Sequence, residues 1–248
     1  MSLGTLEQNH AAMTDRAYLR TPEQWTRFLS AFVHELRTPL ASLRLLTDLL
    51  AGPSPGPRGD LEKRYVANIQ EVSHDLQALV GEVAELGQLL SGRVQIRPDE
   101  VALEPLVEKI EEEVRPRAWE GGIALTGSLD PALPPLFRTD PDRLRQALTL
   151  LLTTTVGHAK SEVSFRLIAD GGDLLVVLSS DGPPFPEAAL RNLFEPFEEG
   201  VRTARRRGGY SLALPLANEL ARVLGGTLHA ENRAGRPTFD LSLPAAAA

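Results

Sequence analysis

Two strict heptad seams, one on each side of a proline-rich break, limit what this chain can fold into more than any other feature. Trp25, Leu29, Phe32, Leu36, Pro39, Leu43, Leu46 and Leu50 are spaced 4, 3, 4, 3, 4, 3, 4. Tyr65, Ile69, Val72, Leu76, Leu79, Val83, Leu86 and Leu90 repeat that spacing. An apolar residue every three and a half positions keeps one stripe of a helix turned toward a partner, so each run predicts a long coiled-coil-like helix. Gly52-Pro53-Ser54-Pro55-Gly56-Pro57-Arg58-Gly59 stops the first helix. Two long helices joined by so short a segment fold back as an antiparallel hairpin. A lone hairpin cannot cover both seams, and a second copy of itself is the simplest cover. Residues 21–92 therefore read as one half of a dimeric four-helix bundle.

Local signals agree with this reading. Thr21, Pro22 and Glu23 supply a hydroxyl cap, a proline at the first helical position and an acid in the first turn. Pro39 falls inside the seam and predicts a kink, because it lacks an N–H and crowds the preceding turn. Residues 1–20 show no period and read as a leader or a truncated linker. Met1 to Thr21 is polar and mixed in charge, unlike a signal peptide. The apolar run Leu148 to Leu152 falls far short of the ~20 residues that span a bilayer, so no membrane segment is expected.

After a polar hinge from Ser91 to Asp99 the pattern changes. Leu103–Trp119, Pro141–Val156 and Leu212–Leu224 read as helices. Ile123–Leu129, Glu162–Ala169 and Asp173–Ser179 read as strands, and Thr227–Glu231 with Thr238–Leu243 as a closing pair. Residues 99–244 are thus expected to form an α+β sandwich, with helices on one face of a mixed sheet. The whole chain belongs to an α + α/β class.

Composition excludes several functions. Lys+Arg total 26 against 33 Asp+Glu, a net charge of -7, and Arg202 to Arg207 is the one locally basic stretch. Nucleic acid is not an expected partner. Cysteine is absent, which removes disulfides and cysteine-ligated metals and fits the cytoplasm. The five histidines are too scattered for a zinc cage.

His34 lies two residues past Phe32, about 200° around the helix, so it points away from the seam. On position alone it reads as a solvated histidine, and His74 on the second helix as structural or solvated. The neighbours of His34 add more. His34-Glu35-Leu36-Arg37-Thr38-Pro39-Leu40 resembles the phosphoacceptor box of the sensor histidine kinases of two-component systems. The resemblance runs from about 21 to 244, with the elements in the family's order. It implies that a neutral imidazole nitrogen of His34 attacks the γ-phosphate of ATP, while Glu35 handles the proton on the other nitrogen. It implies that Thr38, one turn on, orients the water that removes phosphate from a bound regulator. It further implies a homodimer, a response-regulator receiver domain as partner, and a second domain of histidine-kinase/Hsp90-like ATPase type that binds ATP and Mg²⁺.

That second domain carries four ligand boxes in the family, and here most are altered. Asp140-Pro141-Asp142-Arg143-Leu144-Arg145-Gln146-Ala147-Leu148 matches the lead-in to an asparagine box, yet Leu150 and Thr154 stand where two amides belong. Gly157 takes the place of a basic residue, and His158 follows it. In Ser179-Ser180-Asp181-Gly182-Pro183-Pro184-Phe185-Pro186, Ser180 aligns with the aspartate that accepts from the adenine amino group. Asp181 is one residue off and so on the opposite face unless a bulge at Gly182 rescues it. Leu193-Phe194-Glu195-Pro196-Phe197 keeps an aromatic box, whose phenylalanines suit either the core or a lid. Glu198 to Tyr210 is the candidate lid, with Arg205, Arg206 and Arg207 available to meet phosphate charge. Gly209 keeps the first glycine of the last box, while Ser211 and Ala213 replace the others and Ser211 and Leu212 still offer backbone N–H groups. The metal ligands are left unassigned. Three readings stay open: a divergent kinase, a pseudokinase or histidine phosphotransfer scaffold, and a pure dimerisation module.

Overall fold

The structure, a computed structural model, describes residues 21–52, 59–197 and 212–245. The chain divides into two compact units, with the boundary between Gly87 and Gln88.

The first unit is helical. Helix α1 (Pro22–Ala51) opens on a reciprocal cap. The Thr21 hydroxyl accepts from the Gln24 N–H at 3.3 Å, and the Gln24 side chain accepts from the Thr21 N–H at 3.1 Å. The helix continues through Pro39 without a break. Helix α2 (Gly59–Leu90) follows. From Phe32 to Leu50 and from Tyr65 to Leu90 the seam positions are buried or half-buried. The first two seam positions of α1 depart from expectation: Trp25 and Leu29 are 40% and 51% exposed, and Phe28 is the residue buried there, its ring edge-on to Trp25 at 5.8 Å. At the far end of α2, Leu89 is buried and Leu90 only half-buried. Val33, Leu40, Leu45 and Leu49 on α1 remain exposed, so the single chain leaves much of the apolar surface of this helix uncovered.

The second unit begins with a feature absent from the sequence reading. Strand β1 (Asp99–Ala102) pairs antiparallel with a later strand, β3 (Leu136–Thr139), in a two-stranded ribbon. Between them lie helix α3 (Leu103–Glu120) and strand β2 (Ala124–Leu129). Helix α4 (Pro141–His158) then leads to the hairpin of β4 (Glu162–Asp170) and β5 (Asp173–Ser180). Its turn is Gly171-Gly172 with φ of 62° and 105°, a left-handed backbone that glycine adopts without steric cost. A short helix, α5 (Glu187–Asn192), precedes α6 (Ala213–Val223), and β6 (Thr227–Arg233) and β7 (Arg236–Leu243) close the unit.

The five-stranded sheet has the order β2-β4-β5-β7-β6. β2 and β4 are parallel, which requires a crossover, and α4 lies within it. The remaining pairs are antiparallel. Every second residue of the central strands is buried: Val163, Phe165 and Leu167; Leu174, Val176 and Leu178; Phe239, Leu241 and Leu243. They pack under α3, α4 and α6 through Ile110, Val114, Leu148, Leu151, Leu214 and Ala217. The helices therefore cover one face of a mixed sheet, as the sequence predicts. The other face carries exposed ion pairs such as Arg236 to Glu162 at 2.7 Å, of the kind that contributes little to stability.

Asp140 fixes where α4 starts. Its carboxylate accepts from the N–H groups of Asp142 and Arg143 at 3.1 Å each, and from the Arg97 N–H at 2.8 Å. One buried side chain thus caps the helix and ties the hinge segment to it. Among the described residues no helix is long and apolar enough to cross a membrane.

Candidate functional site

Two places carry the sequence-predicted chemistry, one in each unit. In the helical unit His34 and Thr38 are both exposed and lie one turn apart, hence on one face of α1. Glu35, about 100° around the helix from His34, is buried at 8% exposure. The box thus presents an imidazole and a hydroxyl outward and turns its carboxylate inward. His74 is exposed on α2.

In the second unit the predicted residues gather where the end of α4 meets the end of β5. His158 lies flat on Phe185, ring centroids 4.6 Å apart and 20° from parallel. Its Nε2 is 2.8 Å from the Pro183 carbonyl oxygen. A carbonyl only accepts, so that nitrogen carries the proton. Gly182 is required beneath it: a methyl group there would run into the His158 carbonyl oxygen and ring. Phe185 is itself held by Asn232 of β6, which the sequence reading missed. The Phe185 N–H donates to Asn232 Oδ1 at 2.9 Å and Asn232 Nδ2 donates to the Phe185 carbonyl at 2.8 Å. No local pattern marks Asn232, because its partner is remote in sequence.

Asp181, which could stand beside the nucleotide base only if a bulge turned it there, is engaged elsewhere. Its carboxylate accepts from the Ser161 hydroxyl at 2.6 Å and from the N–H groups of Lys160 at 2.9 Å, Ser161 at 3.0 Å and Glu162 at 3.1 Å. The Ser161 hydroxyl, then its N–H, followed by those of Glu162 and Lys160, hold this carboxyl well below the usual carboxylate range. Asp181 pins the connection between α4 and β4. Ser180, by contrast, points into the protein with 0% exposure, in line with the buried face of β5. Its hydroxyl accepts a long 3.4 Å bond from the Gly182 N–H.

On α4, Leu150 is half-buried and packs against the core. Thr154 is 1% exposed and its hydroxyl has no hydrogen-bond partner among the described residues. These donors do not fit Mg²⁺, which the resemblance implies at this helix. A leucine ligates nothing, a single neutral hydroxyl is a poor anchor for a hard cation, and no cluster of three His, Asp or Glu suited to a metal occurs among the described residues. Leu212 is fully buried and stands at the start of α6, whose first turn has no side-chain cap. Phe194 and Phe197 are both buried. Arg205, Arg206, Arg207, Gly209 and Ser211 lie outside the described residues. Glu219 on α6 is a further residue that sequence reading passed over: its side chain is fully buried, with Oε2 2.7 Å from Arg222 Nε and Oε1 without a partner among the described residues.

Residues 24–92 match the family model described as the His Kinase A (phospho-acceptor) domain. Residues 139–247 match the model for the histidine kinase-, DNA gyrase B- and HSP90-like ATPases. The chain belongs to the sensor histidine kinase family of two-component systems. Among relatives of that family, it is 29% identical to the circadian input-output histidine kinase CikA of Synechococcus elongatus over 224 residues. That alignment covers 88% of this chain and 29% of CikA, so the chain spans less than a third of that relative's length. Among solved structures, full-length ShkA in complex with AMPPNP superposes with a TM-score of 0.65 at 26% identity, over 92% of this chain and 47% of that one. The histidine kinase ThkA in complex with the response regulator protein TrrA gives 0.69 at 18% identity, over 98% of this chain and 67% of that one. At that identity the likeness speaks for the fold alone.

Proposed function

We propose that this chain is the cytoplasmic core of a two-component histidine kinase that phosphorylates His34 from ATP and passes the phosphoryl group to an aspartate of a response-regulator receiver domain. The observation that carries the reading is the outward face of α1. His34 stands exposed there, in the phosphoacceptor box, on a chain that continues into a domain of the ATPase fold. In the first step an unprotonated ring nitrogen of His34 forms a bond to the γ-phosphorus, the bond to the bridging oxygen breaks, and ADP leaves. Glu35 takes up or stabilises the proton on the opposite nitrogen. In the second step the receiver carboxylate displaces the imidazole from phosphorus. Thr38 orients the water that hydrolyses the receiver's aspartyl phosphate, a separate reaction that releases inorganic phosphate and restores the carboxylate.

The exposed apolar residues of α1 support a homodimer in which two hairpins form a four-helix bundle. Nucleotide binding is divergent: His158, Ser180, Gly182 and Leu212 frame it, Thr154 faces it without metal-binding strength, and Asp181 acts as a brace. ShkA, which was solved with AMPPNP, is the relative that lends this site its nucleotide.

Incubation with γ-labelled ATP should place an acid-labile label on the unaltered chain and none on His34→Ala. Label that persists in His34→Ala would move the assignment elsewhere. Leu150 and Thr154 favour a second reading, in which the ATP site no longer works and His34 receives phosphate from another donor. Absence of ATP binding by calorimetry, with and without Mg²⁺, selects that reading.

A further inference from the structure

The polar side chains around the end of α4 differ in how far they are already used. Asp181 is taken up by the segment from Lys160 to Glu162. Asn232 spends its acceptor and a donor on Phe185, and His158 Nε2 on Pro183. Two hydroxyls are left over. Ser180 accepts one long bond, and its own proton reaches no acceptor among the described residues. Thr154 makes no side-chain hydrogen bond among the described residues. Both are shut off from solvent, at 0% and 1% exposure, where an unused hydrogen-bonding group is costly.

The chemistry of these two groups differs from that of a carboxylate. An ionised carboxylate only accepts, so it favours an amino group and repels a carbonyl oxygen. A hydroxyl accepts through its lone pairs and donates its proton. Ser180 can therefore take a hydrogen from an exocyclic amine, or give one to an exocyclic oxygen. A 6-oxo group gives the Ser180 proton the acceptor it lacks, and a 6-amino group donates to its lone pair while ring N1 accepts that proton, so neither purine leaves the hydroxyl unpaired, and an unpaired group is what makes a polar site reject the wrong ligand. The carboxylate nearest in sequence, Asp181, cannot restore discrimination because it is held by four donors.

Resting on the nucleotide-binding reading above, we infer that the buried hydroxyl of Ser180 makes this site indifferent to the purine 6-substituent, so that it takes 6-amino and 6-oxo purine nucleoside triphosphates alike. Inosine triphosphate is the counterpart of ATP here, because it exchanges donor for acceptor at the 6-position, and acceptor for donor at ring N1, while keeping the sugar and phosphates.

Calorimetric titration of the whole chain with ATP and with inosine triphosphate tests the inference. The two dissociation constants should agree within about fivefold, a difference of under ~1 kcal/mol. Ser180→Asp should turn that parity into a preference for ATP of roughly 10- to 100-fold, the range of a charged hydrogen bond gained or lost. Should Ser180→Asp not fold, Ser180→Ala serves in its place and should weaken both nucleotides by the same factor, of about 2- to 10-fold. A preference of the unaltered chain for ATP above about 30-fold overturns the inference and leaves the nucleotide site standing. So does a Ser180→Asp protein that folds and keeps parity, or a Ser180→Ala protein that loses ATP alone. Failure of either nucleotide to bind at millimolar concentration overturns the nucleotide reading itself, and the inference falls with it.

Discussion

Asn232→Ala should loosen the base of the candidate nucleotide site by an amount the structure lets one work out. The amide of Asn232 makes two bonds to one residue, accepting from the Phe185 N–H at 2.9 Å and donating to its carbonyl at 2.8 Å. Phe185 is 3% exposed, stacked on His158 and tilted against Phe239 with centroids 5.9 Å apart. A net hydrogen bond is worth about 0.5–1.5 kcal/mol, so two lost bonds cost about 2 kcal/mol, with more if the freed backbone groups stay dry. Because the two units can unfold separately, a single global midpoint is a poor measure. Amide hydrogen exchange at Phe185 reads the loss locally. About 2 kcal/mol corresponds to roughly 30-fold faster exchange. Asn232→Asp keeps the acceptor but sets a carboxylate oxygen against a carbonyl oxygen. At neutral pH it should be at least as damaging, with recovery as acid protonates it. Unchanged protection of Phe185 in Asn232→Ala would refute the claim that this side chain holds the loop.

Two further predictions follow from single observations. Asp181 titrates below the usual carboxylate range in the folded protein, so its contribution to stability is complete above about pH 4, the unfolded value, and is lost as pH falls from there toward the folded value. Asp181→Asn should flatten the acid side of a melting-temperature profile, and profiles that stay parallel would count against the brace. Leu43→Lys with Leu76→Lys places charges on half-buried seam positions and should give monomers in analytical ultracentrifugation; a dimer that survives both changes excludes the bundle.

The elements that sequence resolved are those with a period and a cap. Helix α4 was expected over Pro141–Val156 and runs Pro141–His158, because its buried stripe repeats at helical spacing and Asp140 caps it in place. Buried residues alternate with exposed ones along most of β4 and with half-buried ones along β5, which is the period-two signal itself. The ribbon of β1 and β3 has four residues per strand and no room for a period to show. Its partners meet only through register across α3 and β2, which no local pattern encodes. The seam was legible in spacing, but the burial of Phe28 in place of Leu29 depends on how Trp25 and Phe28 pack edge to face.

The site was legible as positions and illegible as commitments. Sequence put Ser180 and Asp181 side by side and could not say which of them was free. That is decided by Lys160, Ser161 and Glu162, which donate to Asp181 from the connection that leads into the neighbouring strand. The same logic bears on the proposed nucleotide site, where a leucine and two hydroxyls stand at the positions aligned with amides and a carboxylate. A carboxylate or an amide buried at the end of β5 or along α4 must be desolvated and then satisfied, which weighs against the ligand-free fold. A leucine at 150 instead packs on the core, and hydroxyls at 154 and 180 ask for less when they go unpaired. The helix and strand are held by Leu148, Leu151, Val176 and Leu178, none of which touches ligand chemistry. Fold and candidate binding groups are therefore held by different physics in this chain: apolar burial fixes the seams and the sheet, hydrogen bonds fix the caps at Thr21 and Asp140, and the hydroxyls at 154 and 180 hold neither.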